Sequence, residues 1–565
     1  MMAQARERNR NSGNSSQIKP ADFPKPYTKL TGKGFTLLWF AIIAFVLFGQ
    51  SIRFNYTYLD DQLLILGKMD RLQSFSTLKT VFSEDVFQSP PGRGYYYRPV
   101  LTLSFMADAM IGKGSFAMFH FSNIAYHILA TFLLFLFFME LGYDRLRSML
   151  FGLFFLVHPM VTQAVAWVPG RNDTLLAIFI IGSFIFWLKF LKQGRRRYLL
   201  LHLFFYILAL LTKENGVVLP LMIVLYTAVV IRPAFSRYFL AGIGWVIITL
   251  VWAVARHNAL GGAAAVPFSL QLLSVFKSLP AMIPFLGKVL FPFNLSVFPI
   301  LADMKVSAIL GILTLVVLGF LVWRSKPKQW FLCFFGLLWF VAFLAPSFVS
   351  VNHQIPNFSE HRSYLSLAGI LLFILATGPV VKINFTRPVP VSVFLGICLL
   401  FSGLTFLHAR YFKDQLTFWQ NAVDTSPSHA FNYNNLGAMY FLQGDFPKAE
   451  PYFRKALEIN PAEPMANSNT GLICMNTNRP AEAEKYYLEE IRVNPAYDHA
   501  YYNLGLLCYK QGRYDESFSL WEKTLTINPA YSEAYNNLLF SYRKFNRKAD
   551  FERISLKGKA NGVIP

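Results

Sequence analysis

Two adjacent carboxylates, Asp60 and Asp61, stand about eight residues beyond the first long apolar run of this chain. Carboxylates side by side in one site raise each other's proton affinity, which suits a general base beside an ionised neighbour. Taken alone, the pair also reads as a solvated loop or a helix N-cap. Tyr95-Tyr96-Tyr97-Arg98-Pro99 closes the same segment. Arginine among aromatics is an ordinary membrane anchor and equally a bidentate phosphate ligand. His158-Pro159 precedes Trp167-Val168-Pro169-Gly170-Arg171-Asn172-Asp173, where Pro-Gly supplies a turn and Arg171 and Asp173 either pair or bind a ligand. Lys213-Glu214-Asn215-Gly216 fits a tight turn, in which a buried Lys–Glu pair is often only satisfied structure. Glu360-His361-Arg362 precedes Tyr364 and offers a cation to an anionic headgroup. His120 and His127, one above the other on a helix, read as hydrogen-bonded core. No set has zinc spacing, and there is no phosphate-binding loop or nucleophile elbow.

The elements that must position these groups are membrane helices. The chain has 565 residues, of which 54% are hydrophobic and 57 are Phe. Apolar runs of bilayer length predict spans at 35–52, 119–141, 149–168, 174–191, 198–212, 216–231, 238–256, 305–323, 329–346, 363–381 and 389–408. The Pro-rich stretch 268–292 reads as interfacial or re-entrant. No cleavable signal peptide is recognised. The net charge of +22 is not a nucleic-acid signal: from residue 410 on, 18 Lys and Arg face 17 Asp and Glu, leaving 35 against 14 before it. With eleven spans the basic clusters (Arg6/Arg8/Arg10/Lys19/Lys25, Arg145/Arg147, Lys189–Arg197, Arg232/Arg237, Arg324/Lys326/Lys328 and Lys382/Arg387) share one side, which is the cytoplasm. The N-terminus is then inside. Most acids, Asp60 and Asp61 included, gather on the opposite face with the C-terminal domain. Ionisable groups near membrane depth are costly and usually functional.

The C-terminal domain repeats with period 34. Asn435-Leu436-Gly437 recurs as Asn469-Thr470-Gly471 and Asn503-Leu504-Gly505, with Asn537-Leu538 opening a partial fourth unit. Asn-Pro closes three units at 460–461, 494–495 and 528–529. This is the tetratricopeptide pattern, an α-solenoid with a concave groove, led by a half-repeat at 410–429. Asn435, Asn469, Asn503 and Asn537 either line that groove as an amide ladder for an extended acceptor peptide or bond neighbouring helices. The four cysteines give no disulfide framework; Cys474 and Cys508, one repeat apart, read as buried thiols. The expected organisation is all-α: a tail 1–34, a membrane helix bundle 35–409 with an outer loop 53–118, repeats 410–550 and a tail 551–565.

Together, Asp60-Asp61, Tyr-Tyr-Arg-Pro at 96–99, His-Pro-Met-Val-Thr-Gln-Ala-Val-Ala at 158–166, Gly-Arg-Asn-Asp at 170–173, Lys-Glu-Asn-Gly at 213–216 and Glu-His-Arg-Ser-Tyr-Leu at 360–365 resemble the TMTC family. These are transmembrane, tetratricopeptide-containing protein O-mannosyltransferases of the GT-C class. The resemblance runs over nearly the whole chain after residue 35, repeats included. The family usually has Glu where Gln163 stands and Ala where Asn172 stands. These departures leave the fold expectation intact and bear on which sugar is carried and on the details of donor contact.

The resemblance implies an inverting transfer of a hexose, mannose first, from a polyprenyl-phosphate lipid to Ser or Thr of exported proteins. Asp60 or Asp61 would be the base. Arg98, Arg171, Arg362 and Lys213 would meet the donor phosphate, supported by His158, Asp173, Glu214 and Glu360. No metal and no cofactor is expected, the lipid-linked sugar being a substrate. The partners would be that lipid, an acceptor protein on the repeats and the bilayer. Two other readings are a pyrophosphate-lipid oligosaccharide ligase or glycan polymerase, and a non-catalytic scaffold or transporter recruiting partners through its repeats. A bacterial inner membrane is favoured over the endoplasmic reticulum, with the repeats extracytoplasmic in either.

Overall fold

The computed structural model describes residues 32–88, 94–261, 268–348 and 358–564. The basic residues Arg6, Arg8, Arg10, Lys19 and Lys25 of the expected cytoplasmic tail lie outside the described residues. The architecture is all-α, with no strand among the described residues. The chain divides into two compact units, one ending at Asp414 and one beginning at Gln415.

The first unit contains α1 (Lys33–Phe48), α2 (Pro99–Ile111), α3 (Phe116–Glu140), α4 (Arg145–Val157), α5 (Arg171–Gln193), α6 (Arg196–Thr212) and α7 (Leu219–Val230). It continues with α8 (Phe235–Ala259), α9 (Phe268–Ser278), α10 (Met282–Leu290), α11 (Lys305–Trp323), α12 (Pro327–Leu344), α13 (Tyr364–Ala376) and α14 (Pro388–Ala409). Eight helical segments among the described residues are long and apolar enough to cross a membrane, or nine if one bent pair is a single span. Eleven were expected; the rest are shorter or broken apolar helices. Three expected spans fold as α6 (17 residues), as α7 with the 3-10 turn before it (Glu214–Val230), and as α13 with the turn before it and the short helix Gly378–Lys382 after a break at Thr377. At about 1.5 Å per residue the first two reach roughly 26 Å, at the short end of what crosses a ~30 Å hydrocarbon core. The stretch 268–292 instead contains Leu273–Leu290, whose 18 residues meet the length and hydropathy of a span.

Burial separates centre from periphery. In the span containing α5, 83% of the apolar window is buried; in α8 only 11% is. α8 is therefore a lipid-facing helix, apolar all round. The bent pair, Arg145–Val157 and Pro159–Ala166, turns by 56°. Its cause is Pro159, which disfavours helical geometry at the preceding residue; His158 is extended there (φ −69°, ψ 128°).

The second unit begins with α15 (Gln415–Thr425), in the place of the expected half-repeat. Four helix pairs follow: α16 (Ala430–Leu442) with α17 (Phe446–Ile459), α18 (Ala466–Asn476) with α19 (Pro480–Val493), α20 (Asp498–Lys510) with α21 (Tyr514–Ile527), and α22 (Ser532–Lys544) with α23 (Lys548–Ala560). The fourth pair is complete rather than partial. Its second helix buries Ile554 and takes up most of the segment expected as a tail. The period has a packing cause. A Cβ on Gly437, Gly471 or Gly505 would lie within 3.0 Å of the Phe453, Tyr487 or Trp521 ring sixteen residues on. Glycine lets the aromatic of each second helix close on the first. Cys474 and Cys508 are buried free thiols.

Candidate active site

Past α1, a 3-10 turn carries the chain to Arg53, and a short helix, Asp61–Leu64, follows with Asp60 at its N-cap position. The two carboxylates part company here. Asp61 is 1% exposed, and its Oδ2 accepts from the Thr57 backbone N–H at 3.0 Å and from the Thr57 hydroxyl. That hydroxyl accepts in turn from Trp167 Nε1–H at 3.1 Å. Asp60 instead lines a cavity of about 730 Å³. Burial first, and the Asp61 charge second, push the Asp60 carboxyl up to about 6, against the pull of Arg98 and Arg362. Burial also raises Asp61, opposed by its bonds to Thr57.

The cavity wall is assembled from distant segments. Asp85 accepts from the Tyr96 N–H at 2.9 Å and the Phe87 N–H at 3.1 Å, folding the outer loop back so that Tyr95–Arg98 reach the wall. Pro99 at the first turn of α2 fixes the position that follows Arg98. Arg98 sits over the Tyr96 ring at 4.5 Å and pairs with Glu214 at 3.0 Å. Lys213, at the end of α6, pairs with Asp173 at 2.7 Å. His361 stands 3.9 Å from the other Asp173 oxygen, and Arg362 donates to the Ser347 carbonyl. Arg256, near the end of α8, donates to the Tyr95 carbonyl at 3.1 Å. Arg98, Lys213, Arg256 and Arg362 thus face Asp60 and Glu214 around one space, an excess of cations that suits an anionic ligand. Among the described residues no three His, Cys, Asp or Glu side chains gather to hold a metal ion.

Of the sequence candidates, Asp60, Arg98, Lys213, Glu214 and Arg362 share the cavity. Asp61 and Asp173 stand behind it: Asp173 holds Lys213, and Asp61 holds Thr57, whose hydroxyl takes the Trp167 N–H. Arg171 is a correction. It is fully buried, paired with Asp108 at 2.6 Å, and donates to Asn123 at 2.8 Å and the Phe119 carbonyl at 2.7 Å. It ties α2, α3 and α5 together and does not line the cavity. Nor does it pair with Asp173. His158 and Glu360 do not line the cavity either. His158 bonds the Val289 carbonyl at 2.9 Å and caps the break before α4's continuation. Glu360 is buried against Lys288 at 2.5 Å, with His408 at 3.6 Å and the Ser296 N–H at 3.0 Å, and so anchors the turn that carries His361 and Arg362. Gln163 accepts from the His361 N–H at 3.2 Å, and the turn above it closes because Gly170 has no Cβ to strike the Gln163 carbonyl.

Sequence reasoning passed over Arg256, His257 and Trp252, all on the wall, and met Asn172 only as a departure from the family pattern. Arg256-His257 did carry a signal: it is a basic pair at the end of a long apolar helix, outside the clusters that shared one side.

In the repeats, Asn469 donates to Asn434 Oδ1 at 2.9 Å and Asn537 to the Tyr502 hydroxyl at 3.1 Å, both between helices. Asn435 bonds its own helix at Phe431 O, 2.8 Å. The expected four-rung ladder is therefore not uniform. Three amides are engaged within the stack, and Asn503 makes no side-chain hydrogen bond among the described residues.

Fold and site define a multi-pass membrane protein with a polar, cation-rich cavity and a C-terminal tetratricopeptide-repeat unit. Tetratricopeptide-repeat profiles match residues 430–462 and 470–532. The chain is similar to the TMTC protein O-mannosyl-transferases. It is 30% identical to mouse TMTC3 over 166 residues, covering 28% of this chain and 18% of that protein. It is 28% identical to fruit-fly Tmtc1 over 178 residues, 31% of this chain and 20% of that protein. Over a longer stretch of 399 residues it is 23% identical to a Caenorhabditis elegans protein O-mannosyl-transferase, F38B6.6, covering 66% of this chain and 54% of that protein. The chain thus spans about a fifth of the mouse and fly relatives and about half of the nematode one. Among solved structures, MamA is 20% identical with a TM-score of 0.24, covering 26% of this chain and 89% of that one.

Proposed function

We propose that this chain is a membrane glycosyltransferase that moves a hexose, mannose first, from a polyprenyl-phosphate lipid to Ser or Thr of a protein. The observation that carries this reading is one cavity-facing carboxylate of raised proton affinity, Asp60, opposite a set of fixed cations. The similarity to protein O-mannosyl-transferases supports it.

In this reading Asp60 takes the proton of the acceptor hydroxyl. The hydroxyl oxygen attacks the anomeric carbon, and the bond from that carbon to the phosphate oxygen breaks with its electron pair going to the phosphate. The products are the inverted glycoside and polyprenyl phosphate, and Asp60 returns its proton to water. Arg98, Arg362, Lys213 and Arg256 meet the departing charge; fixed cations aimed at developing charge are a large catalytic contribution. These groups, rather than a metal ion, balance the monophosphate. Asp61 positions Thr57 and Trp167. The repeats hold the acceptor and raise its effective concentration, on the extracytoplasmic face.

The test is sugar release from labelled polyprenyl-phosphate mannose by the purified protein in EDTA, with an unfolded Ser/Thr-rich acceptor. Transfer lost in Asp60→Asn supports the reading. Transfer that requires added metal would point to a pyrophosphate-lipid ligase, and no transfer at all to a scaffold.

A further inference from the structure

We infer that Asn172 is a specificity-determining residue whose side-chain amide hydrogen-bonds a hydroxyl of the transferred sugar, an inference that rests on the glycosyltransferase reading of the same cavity.

Asn172 is the second residue of α5 and lines the cavity. It is only 7% exposed. Its Oδ1 is buried without a partner, and its amide makes no side-chain hydrogen bond among the described residues. The asparagines nearby behave otherwise. Asn215 lines the same cavity, but its Nδ2 donates to the Phe343 carbonyl and the Ser347 hydroxyl, each at 3.0 Å. Asn123 donates to the Val165 and Trp167 carbonyls at 3.1 Å and accepts from Arg171. Those two amides hold the fold. A buried polar group left unsatisfied is unfavourable and uncommon, so an unspent amide on a cavity wall is explained most directly by a ligand.

The chemistry of that ligand follows from the group. A carboxamide offers two donors and an acceptor, and it is neutral. A phosphate only accepts and is served by the cations already on the wall. A hydroxyl both donates and accepts, so a polyhydroxylated ring is the partner that uses the amide fully. Asn172 is placed for this: Trp167 and Lys213 line the same wall, and Asp60 supplies the proton acceptor there.

The test compares wild type with Asn172→Ala on polyprenyl-phosphate mannose and on its 2-, 3-, 4- and 6-deoxy-mannose counterparts. We expect kcat/KM on mannose to fall about ten- to hundredfold in the variant. On one monodeoxy donor the two proteins should turn over equally, because the hydroxyl that Asn172 reads is already gone. The Tm of the variant should be no lower than that of wild type, since no bond of the fold is removed. The same fold loss on every donor, no loss on any, or a Tm drop of several degrees would overturn the inference. Wild type inactive on all five donors sinks the glycosyltransferase reading and this inference with it. An active wild type with an indifferent variant sinks this inference alone.

Discussion

Asp60 and Asp61 are neighbours in sequence and opposites in environment: Thr57 satisfies Asp61 from two sides, while Asp60 faces the cavity. A tandem acidic pair is thereby divided into a reacting group and a positioning group. Asp60→Asn should lower transfer about 10²–10⁴-fold, the usual contribution of a general base, with the protein still folded. Asp61→Asn should act differently. An amide opposite two donors loses a charge-assisted contact, so Tm falls and kcat declines less. Turnover per folded molecule, set beside thermal unfolding, separates the two; equal kinetic losses at equal stability would refute the division.

The pH dependence follows from the same residue. With Asp60 poised at about 6, transfer should rise as pH increases through 6 and then level off, because only the ionised form accepts a proton. The stability effect has the opposite sign. The folded state holds this proton more tightly than an unfolded chain with an ordinary value of 3.8, so the benefit is full below that value and lost as pH rises through about 6. Above it, an ionised Asp60 costs on the order of 1–2 kcal/mol after discounting for water in the cavity. Asp60→Asn should therefore unfold at higher temperature than wild type at pH 8, and the gain should vanish toward pH 4. A melting series across that range checks it.

The repeats were legible because three of the four units restate one packing rule: a glycine, and an aromatic sixteen residues later that needs the missing Cβ. The cavity was half legible. Asp60, Arg98, Lys213, Glu214 and Arg362 stood out as charges in apolar surroundings. Arg171 stood out for the same reason, and nothing local distinguishes it. Its partners Asp108 and Asn123 lie on two other helices, so only the packed bundle shows where its donors go. Arg256 failed in the other direction: its helix is lipid-facing, and the link to the site is one bond to the Tyr95 carbonyl. The break at Thr377, between α13 and the short helix Gly378–Lys382, is likewise invisible to hydropathy.

Arg171 and Arg362 should consequently fail by different routes. Arg171→Ala leaves Asp108 buried opposite no charge, which costs about 3–5 kcal/mol in comparable buried pairs. Yield and Tm should collapse, while the surviving folded molecules keep their turnover. Arg362→Ala removes a cation from the cavity wall, and kcat should fall about 10²-fold at a Tm close to wild type. Replacing both Arg171 and Asp108 by apolar residues should recover much of the lost stability. A kinetic defect in folded Arg171→Ala as large as that of Arg362→Ala would return Arg171 to the phosphate.

The asparagines of the repeats give a matched pair. Asn469 bridges α18 to α16 through Asn434, so Asn469→Ala should cost about 1 kcal/mol of repeat stability. Asn503 occupies the same register but spends no side-chain bond on the stack, so Asn503→Ala should leave stability within about 0.5 kcal/mol. If the repeats hold acceptor through amides still available, Asn503→Ala should weaken binding of a fluorescent Ser/Thr-rich peptide to the full chain about five- to tenfold, and Asn469→Ala should change it less. The rationale is that an amide already satisfied inside the protein gains little by exchanging its partner for a peptide, whereas an unsatisfied one gains a full bond. Unchanged peptide affinity in Asn503→Ala, with Asn469→Ala destabilised as expected, would assign this register to the architecture of the solenoid alone.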